Sequence, residues 1–79
     1  MDFDGVWTQA KLDMLSLLHQ HEGASSWELG LISGDEPRRI KAYMREFERM
    51  GIGEFTIQDG MYHFWLSPFG RALAESMEN

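Results

Sequence analysis

The stretch that most constrains this chain runs from Gly34 to Gly51, GDEPRRIKAYMREFERMG. At ~100° per residue, Ile40, Tyr43, Met44, Phe47 and Met50 fall on one side of a helix, and Arg38, Ala42, Arg45 and Arg49 fall on the other. One side is suited to burial and the other to solvent or to anions. A helix of this length draws most of its stability from packing its apolar face, so the rest of the chain must supply a cover for it.

Seventy-nine residues allow one domain. A chain this short buries only about 60% of its unfolded surface, which calls for a core built from large pieces. Five Phe, three Trp, two Tyr and six Met provide them. There are no cysteines, which excludes a disulfide framework and any thiolate metal site and fits a reducing compartment. No run approaches the ~18 apolar residues of a membrane span, and the opening MDFDGVW is acidic where a signal peptide would be basic. The expectation is a soluble, cytoplasmic protein with no membrane partner.

Residues 1–6 carry no periodicity and are expected to form a flexible arm. A first helix is predicted over 8–22 with Thr8 as its N-cap, because Trp7, Ala10, Met14, Leu17, Leu18 and His21 recur at helical spacing. Leu15 widens that stripe and Leu12 lies away from it. Ser25-Ser26-Trp27-Glu28 has the form of a capping box, opening a second helix over 26–33 whose Trp27, Leu29, Leu31 and Ile32 suggest burial on more than one side. Ser33-Gly34 then makes a tight turn, and Asp35 is the expected N-cap of a third helix over 35–50, with Pro37 in its first turn. Two helices joined by a short Gly-containing turn form a helix-turn-helix.

Gly51 is placed to end the third helix. Residues 54–66 form a hairpin, with Asp59-Gly60 as its two-residue turn. In its second strand Tyr62, Phe64 and Leu66 share one face, and Met61, His63 and Trp65 the other. Ser67-Pro68 opens a last helix over 68–78, whose Phe69, Ala72, Leu73 and Met77 can fold back on the domain. The fold class is α+β and mostly helical, with three helices, a two-stranded hairpin and a C-terminal helix in a single domain.

Arg38, Arg39, Lys41, Arg45 and Arg49 put five of the seven basic residues into the third helix, although the net charge is −6. Affinity for nucleic acid comes largely from Lys and Arg neutralising phosphates, so a local basic face on an acidic body binds weakly and with strong salt dependence. Catalytic chemistry is not apparent. His19 and His21 are two apart on a helix and point away from each other, His63 is remote in sequence, and Gly51-x-Gly53 does not follow a strand into a helix. No enzyme activity, catalytic residue, cofactor or metal is expected.

Two segments carry a likeness to a known group. Ile40-x-x-x-Met44-x-x-Phe47-Glu48-x-x-Gly51-Ile52 resembles a recognition helix ending in a glycine and an aliphatic residue that opens a wing. Leu66-Ser67-Pro68-x-Gly70-Arg71-Ala72-Leu73 resembles the run that closes the wing and starts the next helix. With the capping box, roughly residues 8–77 resemble winged helix-turn-helix regulators of the MarR and PadR kind. That resemblance implies double-stranded DNA as partner, with Pro37, Arg38, Arg39, Ala42 and Tyr43 in the major groove and Arg45 and Arg49 on phosphates. Lys41 joins this set as the remaining cation of the helix. The sequence departs from the pattern at the wing tip, where Gln58-Asp59-Gly60 replaces the usual Lys or Arg.

Two functions follow. The first is a small transcriptional regulator, dimerising so that two third helices reach successive major grooves. The second is a winged-helix protein-interaction module, favoured by the net charge, the acidic tip and the outer face with His63 and Trp65. Leu12, Leu15, His63 and Trp65 are the candidate contacts for a homodimer or a protein partner.

Overall fold

The computed structural model describes residues 7–77. The arm expected over residues 1–6 and the last residue of the helix expected over 68–78 lie outside them. The order is α1 (Gln9–Gln20), α2 (Ser26–Ser33), α3 (Pro37–Arg49), β1 (Gly53–Gln58), β2 (Met61–Leu66) and α4 (Pro68–Met77). The strands pair antiparallel, with Phe55 opposite Phe64 and Ile57 opposite Tyr62. A single bridge between Ser25 and His63 ties the start of α2 to the free edge of β2.

Local chemistry sets the boundaries. The Thr8 hydroxyl accepts from the Lys11 amide at 3.2 Å and starts α1. At α2 the Ser25 hydroxyl accepts from the Glu28 amide at 3.0 Å, and the Glu28 carboxylate accepts from the Ser25 amide at 2.9 Å. The bond from the Ser25 amide foremost, and then the Ser25 side chain, hold the Glu28 carboxyl below its ordinary range. Gly34 ends α2 with φ of 82°, a conformation that favours glycine. The N-cap of α3 is Glu36, without a side-chain cap bond, where Asp35 is expected from sequence. Pro37, which lacks an amide, follows at once and leaves one fewer donor to cap.

The core is a contiguous cluster of Met14, Leu15, Leu18, Leu29, Ile40, Met44, Phe47, Ile52, Phe64, Leu66 and Ala74. Phe47 is its centre, with Trp7, Tyr43 and Phe64 rings at 5.8, 6.1 and 6.4 Å, in the tilted geometries aromatic pairs favour. The observed burial differs from the sequence expectation at several positions. The buried face of α1 is centred on Leu15 and Leu18, with Ala10 exposed, so Leu15 is a core residue rather than a partner contact. Leu12 is half-buried. In α2 only Ser26, Leu29 and Gly30 are buried, while Trp27, Leu31 and Ile32 are 56%, 67% and 53% exposed.

The last helix also packs differently from the sequence expectation. It docks through Gly70 and Ala74, with Phe69 and Ala72 exposed and Leu73 half-buried. A Cβ on Gly70 would collide with the Ile52 carbonyl oxygen, so backbone approach, not side-chain bulk, sets this contact. Ser67 completes the joint: its hydroxyl accepts from the Gly70 amide at 3.0 Å and lies 2.7 Å from the Gly51 carbonyl oxygen, to which it donates. The Gly51-Ile52 and Ser67-Pro68-x-Gly70 segments thus meet, which is the physical reason for both.

Candidate nucleic-acid interface

Helix α3 presents one outward crest. Arg38, Ala42, Arg45 and Arg49 are all exposed along it, and Arg39 is exposed on the flank toward α1. Its inward residues Ile40, Met44 and Phe47 are wholly buried, so the core fixes the rotation of the crest. Pro37 and Tyr43 are half-buried. The Pro37 ring is held against Gly30 of α2, and Tyr43 leans on Phe47, so both shape the start of the helix more than they project from it. Arg39 and Tyr43 also line a cleft of about 310 Å³ beside Asp13 and Asp35.

The cations differ in how they are held. Among the described residues Arg38 meets Glu36, at 3.5 Å, with its side chain 90% exposed. A pair of that length in solvent contributes little. On the other flank, the Arg45 Nη2 donates to the Tyr62 hydroxyl at 3.0 Å, and its guanidinium carbon lies 5.3 Å from the ring centroid. Lys41 Nζ is 5.2 Å from the same centroid, and Phe55 stacks on the ring at 4.8 Å. The inner face of the hairpin therefore gathers two of the five cations. Sequence reading placed Tyr62 on that face but missed this role, because a contact between residues 45 and 62 leaves no periodic signal.

Both basic residues outside α3 are paired with carboxylates. Lys11 Nζ lies 2.6 Å from Glu46, and Arg71 makes a two-pronged contact with Glu22 at 2.6 and 2.8 Å. The Glu22 carboxylate also accepts from the Leu66 amide at 3.0 Å, joining the end of α1, the end of β2 and the start of α4. The Arg71 bonds hold the Glu22 carboxyl below its ordinary range, and Glu22 raises Arg71 in turn. Net positive charge is thus concentrated on α3 within an otherwise acidic surface.

The candidate contacts of the hairpin's outer face are less open than the sequence suggests. His63 Nδ1 is 2.9 Å from the Gly23 carbonyl oxygen and the residue is half-buried, which makes it part of the α1–α2 junction. Trp65 is 45% exposed, yet its ring lies where a Cβ on Gly23 would come within 2.6 Å. The hairpin turn carries Asp59 at φ of 53° and Gly60 at φ of 77°, the pair of left-handed residues that two-residue hairpin turns favour. Asp59 is exposed there, so the tip offers a carboxylate. Among the described residues no helix is long and apolar enough to cross a membrane.

Comparison with solved structures places this arrangement. FabT from Streptococcus pneumoniae, solved in complex with DNA, superposes with a TM-score of 0.79 at 11% identity over 91% of this chain and 52% of that one. A candidate DNA-binding protein from Ralstonia eutropha gives 0.79 at 16% identity over 94% of this chain and 100% of that one. BpsR from Bordetella bronchiseptica gives 0.77 at 19% over 95% and 55%. The fold is the winged helix-turn-helix of MarR-type regulators. No protein-family model and no curated protein matches the sequence. The winged helix spans about half the length of FabT and BpsR, with 52% and 55% covered, and the whole of the Ralstonia protein. In the winged helix's own terms, α2 and α3 are the helix-turn-helix and β1 and β2 the wing.

Proposed function

We propose that this protein binds double-stranded DNA through α3 and serves as a small transcriptional regulator. One observation carries the reading: a core-fixed helix that bears five of seven basic residues and faces solvent beside a wing, while the other two basic residues are paired with carboxylates. FabT, which shares the fold, was solved bound to DNA. Arg38, Arg39 and Ala42 are assigned to base edges in the major groove, with Pro37 and Tyr43 setting the helix's entry. Lys41, Arg45 and Arg49 are assigned to phosphates. The protein acts in the cytoplasm as a dimer, so that two copies of α3 reach successive major grooves about one helical turn apart. The reading invokes no catalysis, cofactor or metal.

Charge reversal tests it. Arg38→Glu with Arg45→Glu is expected to abolish duplex binding in an electrophoretic shift assay while leaving the thermal midpoint within a few degrees. Retained binding by the double variant would overturn the assignment of this surface.

A second reading rests on α2. Trp27, Leu31 and Ile32 stand exposed on one short helix, and contiguous apolar surface of this kind marks interaction sites. Under that reading the domain docks on another protein through α2. Trp27→Ala with Leu31→Ala would then shift sedimentation or lose a partner with the fold intact, and unchanged sedimentation and partners would dismiss it.

A further inference from the structure

We propose that Tyr62, together with Lys41 and Arg45, forms a phosphodiester-binding site on the inner face of the wing; this rests on the DNA-binding reading and assigns the wing a contact that its acidic tip cannot make. Lysine and arginine side chains ordinarily sample many rotamers, and immobilising them opposes binding. Here the ring of Tyr62 attracts both cations, and its hydroxyl accepts from Arg45 Nη2 at 3.0 Å. Phe55, stacked on Tyr62 with 17° between the rings, holds that ring in place. Ordering of the cations therefore precedes the encounter with DNA.

The donor chemistry points to a phosphate. The ammonium of Lys41 and the remaining guanidinium N–H groups of Arg45 are donors gathered at one place by Tyr62, and none of the ion pairs described above engages either cation. Arg45 has one N–H committed to Tyr62, which leaves it poorly suited to a two-pronged contact with a guanine edge and well suited to a backbone oxygen. A wing with Asp59 at its tip would repel the backbone there. The same hairpin, through Tyr62 in the second pair from the turn, presents two cations instead. Tyr62 is a positioning residue in this account, acting through Lys41 and Arg45.

The test is a salt series of fluorescence anisotropy on a random-sequence duplex, using wild type, Tyr62→Phe, Tyr62→Leu, Arg45→Ala and the corresponding double variants. Tyr62→Leu is expected to lose roughly fivefold in affinity at low salt and to lower the slope of log affinity against log salt by about one unit. In the Arg45→Ala background the same change should cost much less, because the two residues act together. Should Tyr62→Leu fail to fold by circular dichroism, Tyr62→Phe carries the test, since it keeps the ring and removes only the oxygen. Its loss should be felt with Arg45 present and vanish in the Arg45→Ala background. Wild-type affinity and slope in the Tyr62 variants, or equal losses in both backgrounds, would overturn the proposal while leaving α3 as the DNA surface. Absence of wild-type binding would overturn both.

Discussion

Helices α2 and α3 lie side by side in the same helix-turn-helix, yet they divide their residues in opposite ways. In α3 the apolar residues Ile40, Met44 and Phe47 are buried and the four arginines are exposed. In α2 the buried residues are Ser26, Leu29 and Gly30, while Trp27, Leu31 and Ile32 face out. Bulk and polarity mark a buried face only when the contact has room for side chains. At the α2–α3 crossing it does not: a Cβ on Gly30 would sit 2.9 Å from the Asp35 carbonyl oxygen and 3.3 Å from the Pro37 ring. Gly30 occupies this contact, Leu29 reaches the core beside it, and Trp27, Leu31 and Ile32 are left outside.

The largest effect should separate the two helices directly. Phe47→Ala is expected to cost about 3–5 kcal/mol, enough to unfold much of a domain this small, whereas Leu31→Ala on α2 should stay within about 0.5 kcal/mol. Urea denaturation of both variants checks this, and comparable losses would mean that the exposed face of α2 is covered after all.

The second effect concerns the crossing. Gly→Ala in an exposed helix interior ordinarily stabilises by up to about 1 kcal/mol. Gly30→Ala should instead destabilise by about 1–3 kcal/mol, since the added methyl meets backbone. A gain in thermal midpoint would show that α2 and α3 can separate freely.

Ser25→Ala comes next, with an expected loss of about 1 kcal/mol from the capping box, read from the same denaturation curves. No change on removing a buried, doubly bonded cap would leave the position of α2 unexplained.

The smallest effect is on acid stability. Glu22 and Glu28 titrate below their ordinary 4.5 in the folded protein. The unfolded chain therefore binds more protons just below that value, so their stabilisation is complete above it and is lost as pH falls through their folded values. Melting curves from neutral pH down to acid should show this decline, and Glu22→Gln should make it shallower. An acid limb identical in the variant would remove Glu22 from the account.

The same contrast explains what the sequence could reveal. The rotation of α3, the capping box at Ser25 and the Asp59-Gly60 turn depend on residues close in sequence, and each leaves a periodic or positional mark. Burial of Leu15, docking of α4 through Gly70 and the role of His63 at the α1–α2 junction depend on how elements approach one another. Those are set by backbone contacts that periodicity does not record. The candidate site divides along the same line. Its arginines are legible as one side of an amphipathic helix, but the coupling of Lys41 and Arg45 to Tyr62 depends on where the hairpin comes to rest against α3.

Whether α3 and the inner face of the wing meet the DNA backbone is tested by binding of the wild-type protein to random-sequence duplex DNA across a salt series. Measurable affinity at low salt is expected, falling with log salt with a slope of several units that reports the phosphates neutralised by α3. Absence of binding at low salt would contradict it and leave the arginine crest as a solvated or protein-facing surface.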